Sequence, residues 1–348
     1  MYDWNRCLQS LGTIGIFTLL TGCYVVKQAW YQNNLLNSRV KISQVLNDVE
    51  DPAIREGLEL VQDLLKFGGE QGLNTENAYQ YYVPVERRAV SFIVQAALPD
   101  QMVSKTWWFP FVGRVPYLGY FDRNDRDAMA KGLRREGFDV SQGEISAFSS
   151  LGWFEDPIYT PMLKRTKVSL AHLIFHELIH RTYWSGSSTM FNENLAEFLA
   201  EHLTVRYLES KNQKRSAESY LNYRKDREKF RLWLKDLKEA LIVLYAQSRP
   251  RDDAFYQEKD EIILTYQREK VPDFRSKHFY EVIKKKWNNA SILGSSLYLP
   301  DVEIFQRALV CYGADKSIGN FLRQLEVFEN EVDDVVIGLS SFCRERKG

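Results

Sequence analysis

Residues 176–180 read His-Glu-Leu-Ile-His, and this spacing carries the strongest chemical signal in the chain. On a helix, residues four apart share a face, so the imidazoles of His176 and His180 can meet one cation. Glu177 projects near the same face, placed to hold and deprotonate a water that the cation has acidified. Leu170, Leu173, Ile174, Leu178 and Ile179 supply apolar surface on either side, which favours a buried helix. The chemistry such a set performs is hydrolysis, in which water attacks a polarised carbonyl. Two imidazoles and one carboxylate suit Zn2+, with a fourth position left open for water or substrate.

The third ligand has to come from elsewhere. Downstream stands Phe191-Asn192-Glu193-Asn194-Leu195-Ala196-Glu197-Phe198, after a Ser-Gly-Ser-Ser loop at 185–188 that turns the chain back. In zinc peptidases whose third ligand is glutamate, that residue lies on the next helix, commonly in an Asn-Glu pair, and Glu193 fits. Glu197 follows one turn later on the same face, where it can accept the outer N–H of His176 or His180. The spacing leaves the reverse assignment of the two glutamates open. His172 lies one turn before His176, about 6 Å along the axis, and drifts around the helix, so a structural or supporting role is expected of it. His202 and His278 have no partner spacing. They read as hydrogen-bonded single groups, either of which could donate to an oxyanion.

These histidines are scarce, 5 in 348 residues, which makes their clustering harder to attribute to chance. Lys and Arg number 46 against 46 Asp and Glu, a balance that argues against a nucleic-acid partner. With 45% hydrophobic and 14% aromatic residues, disorder is excluded for the bulk of the chain. The 4 Cys show no CxxC pair for a zinc ribbon and are too few for a disulfide scaffold.

The N-terminal residues read as an address. Leu11 to Leu20 form an apolar run shorter than the roughly 20 residues a spanning helix needs, as in a signal peptide. Leu20-Thr21-Gly22-Cys23 then resembles a bacterial lipobox, predicting removal of residues 1–22 and lipidation of Cys23. A plain N-terminal anchor is the alternative. Either places the bulk on the periplasmic side of a cell envelope, with Tyr24 after the cysteine favouring the outer membrane. An oxidising compartment would permit a Cys311–Cys343 bridge.

The remaining pattern predicts an α+β chain, predominantly helical, with a small mixed β-sheet and one continuous domain over 23–348. Helix is expected over 31–72, ending at Gly68-Gly69, and over 125–136 with Gly137 as its cap. Strands are expected at 90–94, 106–109 and within 111–121, and a strand pair over 140–154. Helices follow at about 168–183 and 192–209. A long helical hairpin spans 213–286, with Phe230, Leu234, Leu237, Leu241 and Leu244 as its apolar stripe and a break at Ser-Arg-Pro-Arg 248–251.

Beyond the metal motif, Lys105-Thr106-Trp107, Phe109-Pro110, Val112-Gly113, Tyr117 to Asp122, Ser149 to Phe154, Phe191-Asn192-Glu193 and Asn288-Asn289-Ala290 leading to Tyr298 fall in a collinear series. On these residues the chain resembles the bacterial predicted-aminopeptidase lipoprotein family, a glutamate-type zincin (HExxH + Glu) group. The resemblance spans nearly the whole chain. It implies a zincin-like peptidase fold, a peptide substrate and zinc held by His176, His180 and Glu193. Arg181 after the second His, and Glu197 where members tend to carry a small or neutral residue, are departures.

On this reading Tyr298 is the first candidate oxyanion donor, since a phenol donates without adding charge. Asn288 and Asn289 could bind substrate backbone. Ser149 to Phe154 is the expected edge strand for an extended peptide, with Gly152, Trp153 and Phe154 shaping a side-chain pocket. The rival expectation is an envelope lipoprotein whose zinc is structural and whose hairpin binds a partner. A closed site with His172 as fourth ligand would mark it.

Overall fold

Helices begin where the sequence supplies a side chain to accept the first free N–H groups. A computed structural model describes Tyr24 and residues 27–109, 113–145, 156–186, 189–296, 302–311 and 317–329. Helix α1 covers 27–37, followed by β1 (Val40–Lys41) and α2 (Ile42–Asp48). Asp51 caps α3 (Pro52–Glu70) by accepting from the Ala53 N–H, and Pro52 at the first position needs no partner there. The continuous helix expected over 31–72 is therefore broken into three, with the strand β1 between the first two. Gly68-Gly69 does not end α3. Gly68 is instead where α3 passes close to a later helix: a Cβ there would lie 2.9 Å from Leu178 Cδ1. The stop falls at Gly72, whose φ of 82° suits glycine.

Among the described residues three small sheets form where the sequence predicts one. Strands β2 (Tyr81–Val83), β3 (Ser91–Ala97), β4 (Trp107–Phe109), β5 (Gly113–Val115) and β6 (Leu118–Tyr120) come in succession. After them Asp122 caps α4 (Arg123–Arg135), and β7 (Asp139–Ile145) and β8 (Ile158–Tyr159) follow. The orders are β1-β2-β8, the one mixed sheet, then β6-β3-β7, antiparallel throughout, and the β4-β5 hairpin. Of the strand pair expected over 140–154, the described part is β7, which pairs with β3 from Ser91↔Ile145 to Ala97↔Asp139. The second strand of that pair falls at 146–155, outside the described residues.

The rest is helix: α5 (Thr160–Leu163), α6 (Lys167–Thr182), α7 (Thr189–Ser210), α8 (Lys214–Tyr245), α9 (Asp253–Arg268), α10 (Lys277–Ile283), α11 (Asn289–Ser296), α12 (Val302–Cys311) and α13 (Ile318–Glu329). Helix makes up 63% of the structure, so the α+β, predominantly helical class holds. The turn at 248–251 separates α8 from α9 as the Ser-Arg-Pro-Arg segment predicts. None of the described helices is long and apolar enough to cross a membrane.

The largest core gathers α3, α6 and α7 through residues such as Leu58, Leu64, Ile174, Phe175, Phe198 and Leu203, all fully buried. A second, aromatic core under the hairpin holds Phe230, Trp233, Phe279 and Trp287. A third lies between α4 and the β6-β3-β7 sheet.

Candidate metal centre

Helix α6 carries the metal motif and is built to be buried. Thr166 caps its N-terminus by accepting from the Ser169 N–H, and Leu170, Ile174, Phe175, Leu178 and Ile179 pack it into the main core. The helix stops at Tyr183, whose φ of −149° and ψ of 133° turn the backbone extended. Ser185 and Asn192 then staple the connection to α7. The Ser185 N–H donates to Asn192 Oδ1 at 2.8 Å, and Asn192 Nδ2 donates to the Ser185 carbonyl at 2.8 Å. Both residues are buried, so this reciprocal pair fixes where Glu193, the next residue, begins its turn of helix.

The result brings His176, His180 and Glu193 together, with one ligand atom of each within 4.8 Å of the others. His180 Nε2 lies 3.1 Å from His176 Nε2. Glu193 reaches both rings, Oε2 at 3.4 Å from His176 Nε2 and Oε1 at 3.7 Å from His180 Nε2. Zinc bonds of about 2.0–2.1 Å at tetrahedral angles put neighbouring ligand atoms about 3.3–3.4 Å apart, so these edges suit such a cation. One buried atom fits as well: Glu177 Oε2, next to His176 in sequence, has no hydrogen-bond partner among the described residues.

Glu197 sits behind the cluster. Its Oε2 is 3.4 Å from His176 Nδ1, the ring nitrogen that faces away from Glu193. The two glutamates thus take opposite sides of His176, each in its own group of possible metal ligands, Glu193 with His180 and Glu197 with His172. Glu197 Oε1 lies 3.1 Å from His172 Nε2, and His172 Nδ1 is 2.7 Å from the Tyr220 hydroxyl on α8. Arg227, also on α8, donates to Glu197 and, at 2.9 Å, to Glu201; Arg224 donates to Glu201 at 2.7 Å. Sequence reasoning missed Arg227, Tyr220 and Glu201 entirely. Their only signal is a run of polar residues on an otherwise apolar helix face.

Electrostatics follow this layout. Burial opposes the charged form of His176, yet its contacts with Glu193 and Glu197 win and raise its pKa to about 10. Burial likewise opposes ionisation of Glu193, but His176 and His180 hold its carboxyl at about 2. For Glu197, burial is outweighed by the charges of His172 and Arg227, which keep it well below the ordinary carboxylate range. A pocket of carboxylates that draws a proton onto a buried imidazole also draws a divalent cation. Two tyrosines feel the same field. Burial raises the Tyr117 phenol, with Glu193 and Glu177 adding to the effect, and burial with Glu177 and Asp156 raises Tyr79. Both stay protonated near Glu177. Trp184 borders the cluster, its ring 5.3 Å from that of His180.

The other expected site residues divide. Cys23, Gly152, Trp153, Phe154 and Tyr298 lie outside the described residues, as does Cys343. Asn288 and Asn289 are placed at the β3-β7 sheet, engaged in bracing α11 against it. Asn289 is fully buried; its Nδ2 donates to the carbonyls of Leu98 and Gln101, and its Oδ1 accepts from Tyr245. Asn288 Nδ2 donates to the Val140 carbonyl and its Oδ1 accepts from the Ser291 N–H. Groups spent this way hold the fold rather than a substrate backbone. His202 is tied to its own helix through Nδ1 and the Phe198 carbonyl at 3.0 Å. The ring of His278 packs 6.1 Å from that of Tyr223.

Taken together, a predominantly helical α+β fold presents a buried His/Glu cluster that can hold a metal ion, compatible with a metallopeptidase. A family model described as Putative aminopeptidase matches residues 23–335, and the chain belongs to that family. No curated protein and no solved structure matches it. Membership carries peptide hydrolysis as the family's activity class and a peptide as its substrate.

Proposed function

We propose that the chain is a zinc-dependent metallopeptidase of the zincin type, with His176, His180 and Glu193 as ligands and Glu177 as general base. The single observation that carries this is the triangle of His176 Nε2, His180 Nε2 and the Glu193 carboxylate, with edges of 3.1, 3.4 and 3.7 Å. Bound there, zinc supplies polarisation of the scissile carbonyl and acidification of a water molecule. Glu177, its Oε2 free of other partners, takes the proton of the attacking water and passes it to the leaving amine. Glu197 keeps the outer nitrogen of His176 occupied, so Nε2 presents its lone pair. A further donor is needed for the tetrahedral oxyanion, and Tyr298 is the candidate from sequence.

On this reading His172 is not the fourth ligand, because it groups with His176 and Glu197, apart from the His176–His180–Glu193 set. The reading leaves the fourth ligand position to water and substrate. For location, the reading places the enzyme on the periplasmic side of the envelope, tethered through lipidated Cys23. This part of the reading rests on the apolar run 11–20 and the Leu20-Thr21-Gly22-Cys23 sequence.

The decisive experiment is a peptide-library digest with metal analysis. Glu177→Gln should bind zinc as wild type does while hydrolysis falls by about 10²–10⁴-fold. Retained turnover in a clean preparation would overturn the assignment. Comparing blocked with free N-termini in the same digest separates exopeptidase from endopeptidase action.

A further inference from the structure

Helix α8 starts the hairpin that, in sequence, reads as an appendage, yet it sends two side chains into the back of the metal cluster. We propose that Tyr220 and Arg227 of α8 are positioning residues for the metal ligand His176, acting through His172 and Glu197. The inference rests on the zinc reading above.

Hydrogen-bond polarity gives the chain its direction. The Tyr220 hydroxyl has one proton to donate, and His172 Nδ1 lies 2.7 Å away. With Nδ1 accepting, the His172 proton sits on Nε2 and points at Glu197 Oε1, 3.1 Å off. Glu197 then receives His172 and Arg227 on Oε1 and His176 Nδ1 on Oε2. A carboxylate so held cannot swing away, and its second oxygen fixes the Nδ1–H form of His176. That tautomer is the one that leaves Nε2 facing His180 and Glu193 for a cation. Arg227 is shared with Glu201, which is itself clasped by Arg224, so the guanidinium is anchored from behind. These groups are all largely buried, and the residues span three helices: His172 and His176 on α6, Glu197 and Glu201 on α7, and Tyr220, Arg224 and Arg227 on α8. The same Arg227 makes a second cation between His172, His176 and Glu197 unfavourable, although their atoms lie close enough for one.

The test measures zinc affinity of the full chain by chelator competition, together with the visible spectrum of the Co2+-loaded protein, at a temperature well below unfolding. Glu197→Gln should weaken zinc by about 10–100-fold, as loss of a ligand's outer partner does. Tyr220→Phe, which removes one oxygen atom, should weaken it by about fivefold, the equivalent of one net hydrogen bond, and shift the Co2+ bands. Arg227→Lys keeps the charge but loses the planar guanidinium whose Nη1 meets both Glu197 and Glu201, and should fall between the two. In a Glu197→Gln background, Tyr220→Phe and Arg227→Lys should have no further effect on affinity. Wild-type affinity in both single variants, or effects that simply add to that of Glu197→Gln, would overturn the inference while leaving the zinc site intact. Failure of the wild-type chain to bind zinc at all would overturn the zinc reading and this inference with it.

Discussion

Two carboxylates contest one imidazole at His176, and that contest sets how the site responds to pH. Its pKa is raised from the ordinary 6.5 to about 10, burial opposing and Glu193 and Glu197 prevailing. A cation that enters must displace this proton at any pH below about 10. Apparent zinc affinity should therefore climb about tenfold per pH unit from about pH 7 to 9, where an unperturbed imidazole would leave it flat. Chelator competition across that range checks the slope. The same linkage acts on the chelated protein. A raised folded-state pKa contributes stability that is complete below about 6.5 and is lost as pH climbs through about 10. Its melting temperature should accordingly fall between neutral and alkaline pH, measured by circular dichroism in excess chelator. At this scale the sequence was informative where chemistry is encoded in adjacency. His176, Glu177 and His180 sit within one turn and a half, so helical period alone puts them on one face. Tyr117, Tyr220 and Arg227 are brought in by packing between elements, and no local period announces them.

Between elements, the joint from α6 to α7 decides whether the third ligand arrives. Asn192→Ala would remove two hydrogen bonds to the buried backbone of Ser185, each at 2.8 Å. Losing a net hydrogen bond costs about 0.5–1.5 kcal/mol, and the freed turn lets Glu193 move. The expected outcome is a lower melting temperature together with weaker zinc binding. Asn192→Asp, which keeps the acceptor but loses the donor, should lie between the variant and wild type. A variant that melts early yet binds zinc normally would show that the staple serves stability alone. Element types were legible where the pattern was long, as in α6, α7 and the α8–α9 hairpin, whose period repeats over many turns. Boundaries and sheet pairing were less so. Gly68 reads as punctuation, yet its bare Cα accommodates Leu178 of α6 inside the helix, a contact visible only once the two helices are packed. Strands of three residues, such as β4, β5 and β6, carry too few alternations to reveal their partners. Asn288 and Asn289 look like substrate groups in sequence because exposed amides often are, and only burial distinguishes a brace from a binding site.

Across the whole molecule, polar contacts among the described residues join the three cores, and those contacts differ in what they depend on. The aromatic core under α8 and α9 is tied to the β6-β3-β7 sheet by permanent groups. Lys259 donates to Asp139 at 2.6 Å and to the Pro99 carbonyl at 2.7 Å, and Asn289 bridges Leu98, Gln101 and Tyr245. The joint between α8 and the α6–α7 pair passes instead through Glu197, His172 and Arg227, whose charges balance differently when His176 carries a cation rather than a proton. Metal removal should thus loosen one joint and spare the other. Zinc bound at about a thousandfold above its dissociation constant adds about 4 kcal/mol to the folded state, and stability lost on chelation is lost first where the cation's neighbours open locally. In hydrogen exchange followed by mass spectrometry, chelation should raise exchange in peptides covering the second half of α6, the first half of α7 and the stretch of α8 from Tyr220 to Arg227. Peptides of β3 and β7, and of α9 around Lys259, should exchange at the zinc-loaded rate. A uniform rise over all of them would mean that the metal supports the fold only as a whole. No change in α8 would mean that the hairpin is mechanically separate from the site, contrary to the joint its ion pairs describe.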